Sequence, residues 1–318
     1  MSSKKENSGL DVAKKIEVDD INGLLMEKAS LEKVSNEKVD GVYGIKYQLK
    51  RFAGIDTNII LNKCTIEHGL ELRKYVIQSE VQHHVSRILT YSPRREEVIR
   101  ELTELTPVAI GPYIAYAENY RTEAVIERQK RMLGRVLLVM PAHSIPEVEA
   151  IYSLEPLFRE IERVKTKFDT VLVCLHVWDL IRGLWKPFNE HGYKVVSAGC
   201  IYSPHFFSRL KYILSLSDAL IINEITTGII YAMYMGLPIH WVREYIKYEL
   251  NYKISWDNTT QLECTINKNE EVYELFDNDQ FMITPEQIRF GEYMFGLNSV
   301  KSKEEMKELL LSLTRTAG

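Results

Sequence analysis

The chain lacks a paired-cysteine motif. Cys64, Cys174, Cys200 and Cys264 are scattered over 318 residues without a C-x-x-C pair. No zinc site or disulfide framework is expected from such spacing. Cys174, inside the apolar run 171–175, reads as a small core residue. An excess of positive charge is also missing: 40 Lys and Arg stand against 44 Asp and Glu, a formal charge of −4. A nucleic-acid binder would need a net basic face, so that class is not expected. Two local basic clusters read as solvated helix faces: Arg94, Arg95 and Arg100, and Arg128, Lys130, Arg131 and Arg135. No stretch approaches the ~18 consecutive apolar residues of a membrane-spanning helix. The polar start, MSSKKENSG, has no apolar signal-peptide core. The expected location is therefore the cytoplasm.

Other absences concern chemistry. There is no G-x-G-x-x-G and no Walker A run, which argues against dinucleotide and ATP binding. Ser144, His176 and Asp179 make a hydrolase triad on paper, but no G-x-S-x-G elbow accompanies them. What is present is the composition of a globular enzyme, 45% hydrophobic and 26% charged. The length allows two domains, each with a core.

Residues 1–16 read as a flexible tail and 18–40 as one or two helices. A small N-terminal α/β lobe is placed at 17–117, with strands expected at 58–61, 86–91 and 107–110. Ser92-Pro93 is a helix-start signal for 94–105. Residues 118–133 read as a charged linker helix, and His83-His84 as surface helix. The second lobe, 134–283, alternates strands and helices. Strands are expected at 135–140, 170–175, 194–197, 219–222 and 238–242, with helices at 151–166, 206–216 and 229–235. Continuous apolar runs such as RVLLVM mark parallel strands buried on both faces. The fold class is thus α/β, with a doubly wound parallel sheet of Rossmann type in the C-terminal lobe and a smaller N-terminal α/β lobe. Thr284-Pro285 opens C-terminal helices at 284–318, expected to pack back on the first lobe.

Ligands of such sheets bind beyond the carboxyl ends of the strands. There, an apolar strand runs into Asn223, Glu224, Ile225, Thr226, Thr227 and Gly228. A helix N-terminus with two hydroxyls suits a phosphate, although either threonine reads equally well as an N-cap. His143 and Ser144, and His176 with Asp179, stand at two further strand ends. His205 either reaches the donor phosphate or caps the helix it precedes. Arg209 is the preferred cation for a leaving nucleotide, with a solvent salt bridge as its other reading. Before the second lobe, Glu67-His68-Gly69 follows the first strand. His68 either activates an acceptor hydroxyl or only hydrogen-bonds its turn, and Glu67 either orients it or replaces it as base.

The run from Ser217 through Thr227-Gly228, Tyr231 and Gly236-Leu237-Pro238 resembles the C-terminal signature of GT-B glycosyltransferases of capsule, O-antigen and teichoic-acid synthesis. In that signature a Lys stands between Gly and Pro, where this chain has Leu237. Gly192-Tyr193-Lys194 to Ser197-Ala198-Gly199, Arg209-Leu210-Lys211, and Ile110-Gly111-Pro112-Tyr113-Ile114 with Tyr116 also resemble proteins of bacterial surface-polysaccharide clusters. His68-Gly69 resembles the His-Gly element of glycerophosphotransferases and capsular transferases. The resemblance covers about residues 58–245. It implies two Rossmann-like lobes, a nucleotide sugar as donor substrate and no separate cofactor. The implied acceptor is a glycan or lipid-linked glycan, compatible with a peripheral seat at the inner membrane. His68 and Glu67 would be catalytic. Thr226, Thr227, Gly228, Asn223, Glu224, His143, Ser144, His205 and Arg209 would face the donor. No D-x-D pair stands at a strand end, so neither a metal nor the GT-A class is expected. A sugar-nucleotide epimerase of the same fold, or a non-catalytic subunit keeping it, are the alternatives.

Overall fold

The computed structural model describes residues 42–77, 81, 85–145, 148–250 and 270–314. The expected tail at 1–16, the helices at 18–40, His83-His84 and Cys264 lie outside them.

Three parallel strands form the first sheet, in the order β1 (Cys64–Ile66), β2 (Arg87–Thr90) and β3 (Thr106–Ala109). Between β2 and β3 runs the helix Pro93–Leu102. Ser92 starts it by accepting the Arg95 N–H on its Oγ at 3.2 Å, and proline occupies the first turn. Ile88, Val98 and Ile99 lock this helix to the sheet. The strand expected at 58–61 is absent and pairing begins at Cys64, opposite Arg87. The reason lies in a buried lysine: Lys50 Nζ donates to the carbonyls of Thr57 and Ile59. Those groups are thereby withdrawn from any ladder, and Ile60 turns outward.

The second sheet has five parallel strands: β4 (Val136–Met140), β6 (Thr170–Cys174), β7 (Lys194–Val196), β8 (Ala219–Ile222) and β9 (Ile239–Trp241). Their order is β7-β6-β4-β8-β9. The first strand of the lobe is therefore central, and the chain winds outward to one side and then to the other. That is the Rossmann order, and β4 and β8 flank its switch point. Val136, Leu137, Leu138 and Val139 are wholly buried, as the apolar run requires. With two parallel sheets, each layered with helices, the chain has the two-lobed α/β architecture expected of it.

Two departures bear on the strand ends. The helix expected over 151–166 begins at Glu155, where Pro156 sets its first turn. Ahead of it, β5 (Val148–Ile151) pairs antiparallel with β10 (Lys247–Leu250), a ribbon joining segments about a hundred residues apart. The linker helix is also shorter, Glu123–Leu133.

The C-terminal segment carries two capping boxes, Thr284 with Gln287 and Ser302 with Glu305. Between them Gly296 sits at φ +67°, and a Cβ there would stand 1.8 Å from the Tyr91 carbonyl oxygen. Only glycine permits that approach. Contacts with the first lobe run from Tyr293 to Leu313. Lys301 N–H donates to Tyr116 Oη at 2.8 Å, Tyr293 Oη to Glu97 at 2.6 Å, and Lys63 N–H to the Leu313 carbonyl at 3.3 Å. Met306 and Leu310 enter a hydrophobic cluster that also holds Leu49 and Leu89 of the first lobe and Leu138 and Ile222 of the second. A polar stitch reinforces it: Gln48, on the helix Ile45–Ala53, donates to the Pro204 carbonyl at 2.6 Å.

Candidate functional site

The last rung between the central strands, Met140 against Ile222, sets Pro141 and Asn223 side by side. Asn223 then braces the two strand ends. Its Oδ1 accepts the Ala142 N–H at 2.7 Å and its Nδ2 donates to Glu244 at 2.9 Å. Ser144 braces the next turn, where its N–H reaches the Asp179 carboxylate at 3.2 Å and its Oγ accepts the Ala150 N–H at 3.2 Å. Burial nonetheless lifts the Asp179 carboxyl to about 6. Asn223 and Ser144 therefore hold the floor together rather than line it, contrary to the expected donor contacts. The Ser144, His176 and Asp179 triad is not made either, because the aspartate is bonded to the backbone and side chain of Ser144 and not to the histidine.

Above this brace lies a cavity of about 390 Å³ between the carboxyl ends of the two sheets. The second lobe contributes His143, Glu224, Thr226, Thr227 and Gly228, all five expected at the site. Thr226 is also the N-cap of the helix Thr227–Tyr234, its Oγ1 accepting the Gly228 N–H at 3.3 Å. The Thr227 hydroxyl bonds Tyr231. A Cβ on Gly228 would come to 2.9 Å from the terminal methyl of Met140, which would have to shift. Leu237, in the place of the signature lysine, is a core residue.

The first lobe contributes His68, with Gly69 and Tyr113 beside it. His68 lies two residues past β1, and Tyr113 Oη donates to the Glu67 carbonyl at 2.6 Å, fixing the chain at this turn. The Glu67 side chain takes another course. Its carboxylate is buried within the first lobe, accepting from Arg95 Nε at 2.9 Å, from Arg95 Nη2 and from Thr90 Oγ1. It lines no part of the cavity, so its expected role as orienting group or base gives way to a structural one. Arg95 likewise leaves the solvated basic face assigned to it.

Arg209 and His205 fall elsewhere. Phe207 and Leu210, three residues apart on the helix Phe206–Ser215, face the cavity. At about 100° per residue this turns Arg209 away. It is buried over the Tyr120 ring at 5.5 Å, with Nη1 on Ser203 Oγ at 3.3 Å, which is neither of its two expected settings. His205 is exposed at the N-cap position and its side chain caps nothing.

Electrostatically the site is unusual. Among the described residues no lysine or arginine lines the cavity. Burial lifts the Glu224 carboxyl to about 7, against the opposing hydrogen bond from Tyr248. Burial also depresses both histidines of the floor. The His143 and His176 rings lie tilted at 38° to one another with centroids 4.9 Å apart, and His176 falls to about 3. Tyr248, on β10, was missed as a lining residue because the β5–β10 pairing that places it has no short-range signal. Tyr43, Phe206 and Phe207 are further aromatic walls that sequence reasoning did not single out.

No family model matches the chain, and no curated protein matches it. Solved structures do. The wall teichoic acid polymerase TagF is similar at 10% identity, over 72% of this chain and 56% of that chain, with a TM-score of 0.40. TarM of S. aureus is similar at 11% identity, over 79% and 50%, with a TM-score of 0.33. The UDP-GlcNAc 2-epimerase from Neisseria meningitidis is similar at 11% identity, over 94% and 82%, with a TM-score of 0.37. This chain spans about half the length of the TagF and TarM structures it matches. The fold assignment rests on strand order and the buried parallel ladder, not on these likenesses.

Proposed function

We propose that this chain binds a nucleotide sugar in the cavity between its sheets and transfers the sugar, or a sugar-like unit, to a bacterial surface-glycan acceptor. One observation carries the reading: His68 of the first lobe and Thr226, Thr227 and Gly228 of the second wall the same cavity. A base and a helix N-terminus then face one volume from opposite lobes, at the switch point where such sheets take ligands. In the proposed step, an acceptor hydroxyl gives its proton to the His68 imidazole as its oxygen attacks the anomeric carbon. The bond from that carbon to the donor phosphate breaks, and the departing charge settles at the N-terminus of the helix Thr227–Tyr234.

An epimerase would need several carboxylates on the cleft. Among the described residues Glu224 alone supplies one to the cavity, since Glu67 is tied to Arg95 and Asp179 to Ser144. This favours transfer. A calorimetric screen of nucleotide sugars, followed by product analysis with a glycan acceptor, tests the reading. Tight binding of one donor class and acceptor-dependent release of its nucleotide are expected. No binding at millimolar donor would overturn it. Donor binding with turnover to an epimer and no transfer would return the alternative.

A further inference from the structure

Glu224 stands just past the carboxyl end of β8, two residues before the Thr226 cap, and the proposed step does not use it. Asn223 beside it is spent on the strand brace. Glu224 is instead partly exposed and lines the cavity together with Thr226, Thr227 and Gly228. An anionic donor phosphate seated at that helix N-terminus therefore shares the cavity with a carboxyl group. Among the described residues no lysine or arginine lines this cavity to offset the two. A carboxylate and a phosphate oxygen both present lone pairs only, and away from bulk water their repulsion is weakly screened. A protonated carboxyl presents an O–H donor instead.

The surroundings of Glu224 favour that form. Burial lifts its carboxyl to about 7, and the hydrogen bond from Tyr248 Oη opposes the rise only in part. Asp179 and Glu244, both raised by burial, lie with Glu224 around Tyr152, so the neighbouring carboxyls add no positive charge. Burial depresses His143 and His176. His68, across the cavity, is then the imidazole whose protonation would also favour an anion.

We propose that Glu224 holds the donor diphosphate as a neutral acid, its O–H donating to a phosphate oxygen where a lysine or arginine would otherwise stand, so that donor binding draws a proton into the site. The inference rests on the nucleotide-sugar reading above and adds the protonation state that the donor requires. Binding raises the titration point of Glu224 above its free value, so affinity is full below that value and declines as pH rises past it. Only the protonated fraction of the free chain is competent. For a group titrating near 7 that fraction falls from about nine-tenths at pH 6 to about one-tenth at pH 8.

The test is titration calorimetry of the full chain with UDP-glucose, GDP-glucose and CDP-glucose, whose diphosphate diesters do not titrate near neutrality. Measured at pH 8 in Hepes and in Tris, which differ in ionisation enthalpy, the donor that binds should take up about half a proton or more. Its affinity should be about five- to tenfold weaker at pH 8 than at pH 6. Glu224→Gln keeps an N–H donor at every pH. Its proton uptake should vanish, its profile should flatten, and its affinity at pH 8 should match wild type at pH 6 within about threefold. Tyr248→Phe removes the hydrogen bond that favours the carboxylate, and should move the midpoint of the affinity profile to higher pH. That arm also serves if the Gln variant does not fold. Binding without proton uptake at pH 8 overturns the inference. So does a pH profile that survives Glu224→Gln and is lost in His68→Ala. In both cases the donor still binds and the proposed function stands. If none of the three binds wild type at millimolar concentration at either pH, that reading falls and this inference falls with it.

Discussion

The Glu67 carboxylate receives the Arg95 guanidinium on one oxygen and the Thr90 hydroxyl on the other, inside the first lobe. The ion pair joins the turn that carries His68 to the helix Pro93–Leu102. A buried pair is poor evidence of net stabilisation, but removing one partner strands the other charge. Glu67→Gln should therefore cost about 3–5 kcal/mol in urea unfolding. At a temperature where the variant is folded, donor affinity should stay close to wild type. Loss of nucleotide binding without loss of stability would return Glu67 to the site.

His68→Ala should act the other way. General-base loss costs about 10²–10⁴ in rate. We expect turnover to fall by that order while calorimetric donor affinity holds. A variant retaining near-full turnover would remove His68 from the chemistry and leave the second-lobe phosphate seat to be judged separately.

Thr226 has two roles that its substitution separates. As N-cap it supports the Gly228 N–H, and Thr226→Val should cost about 1 kcal/mol of stability. Replacing Thr226 and Thr227 together by Val should also weaken nucleotide binding by about 1–3 kcal/mol if both hydroxyls meet the donor phosphate. A stability loss with unchanged affinity would reduce the pair to caps.

Glu224 gives a pH signature whose sign follows from its raised value. Its carboxyl moves from the ordinary 4.5 to about 7 through burial. Between those values the folded chain holds a proton that the unfolded chain has released. Stability from this group is therefore fully present below about pH 4.5 and is lost as pH rises to about 7. His176, depressed from 6.5 to about 3, slopes oppositely between those two values. Glu224→Gln should remove the first slope, leaving stability that falls less, or rises, between pH 4.5 and 7. Denaturant titrations at several pH values check this; an unaltered profile would mean that the carboxyl titrates normally.

Much of the second lobe was legible in the linear sequence. VLLVM, VLVC and ALII are continuous apolar runs, and only a strand covered on both faces can bury successive residues of such a run. Ser92-Pro93, Thr284-Pro285 and the turn at Thr226 each carry a capping side chain and so announce the helix beyond it. His68, His143, Glu224, Thr226, Thr227 and Gly228 could be nominated from strand ends alone, because a parallel sheet delivers its carboxyl ends to one edge.

Tertiary structure decided the rest, for reasons of direction and distance. Spacing along the chain says that Glu67 and Arg209 stand near a turn or a helix start, but not which way their side chains point. Glu67 turned inward because Arg95, nearly thirty residues later, offered a buried partner. Arg209 turned away because Phe207 and Leu210 took the cavity face of their helix. The run 58–61 lost its strand to a lysine seven residues before one of the carbonyls it takes. Tyr248 reached the site only because β10 found β5 across most of a lobe. Local sequence determines backbone habit through sterics and capping, whereas the aim of a polar side chain depends on partners that only the folded chain brings within hydrogen-bonding reach.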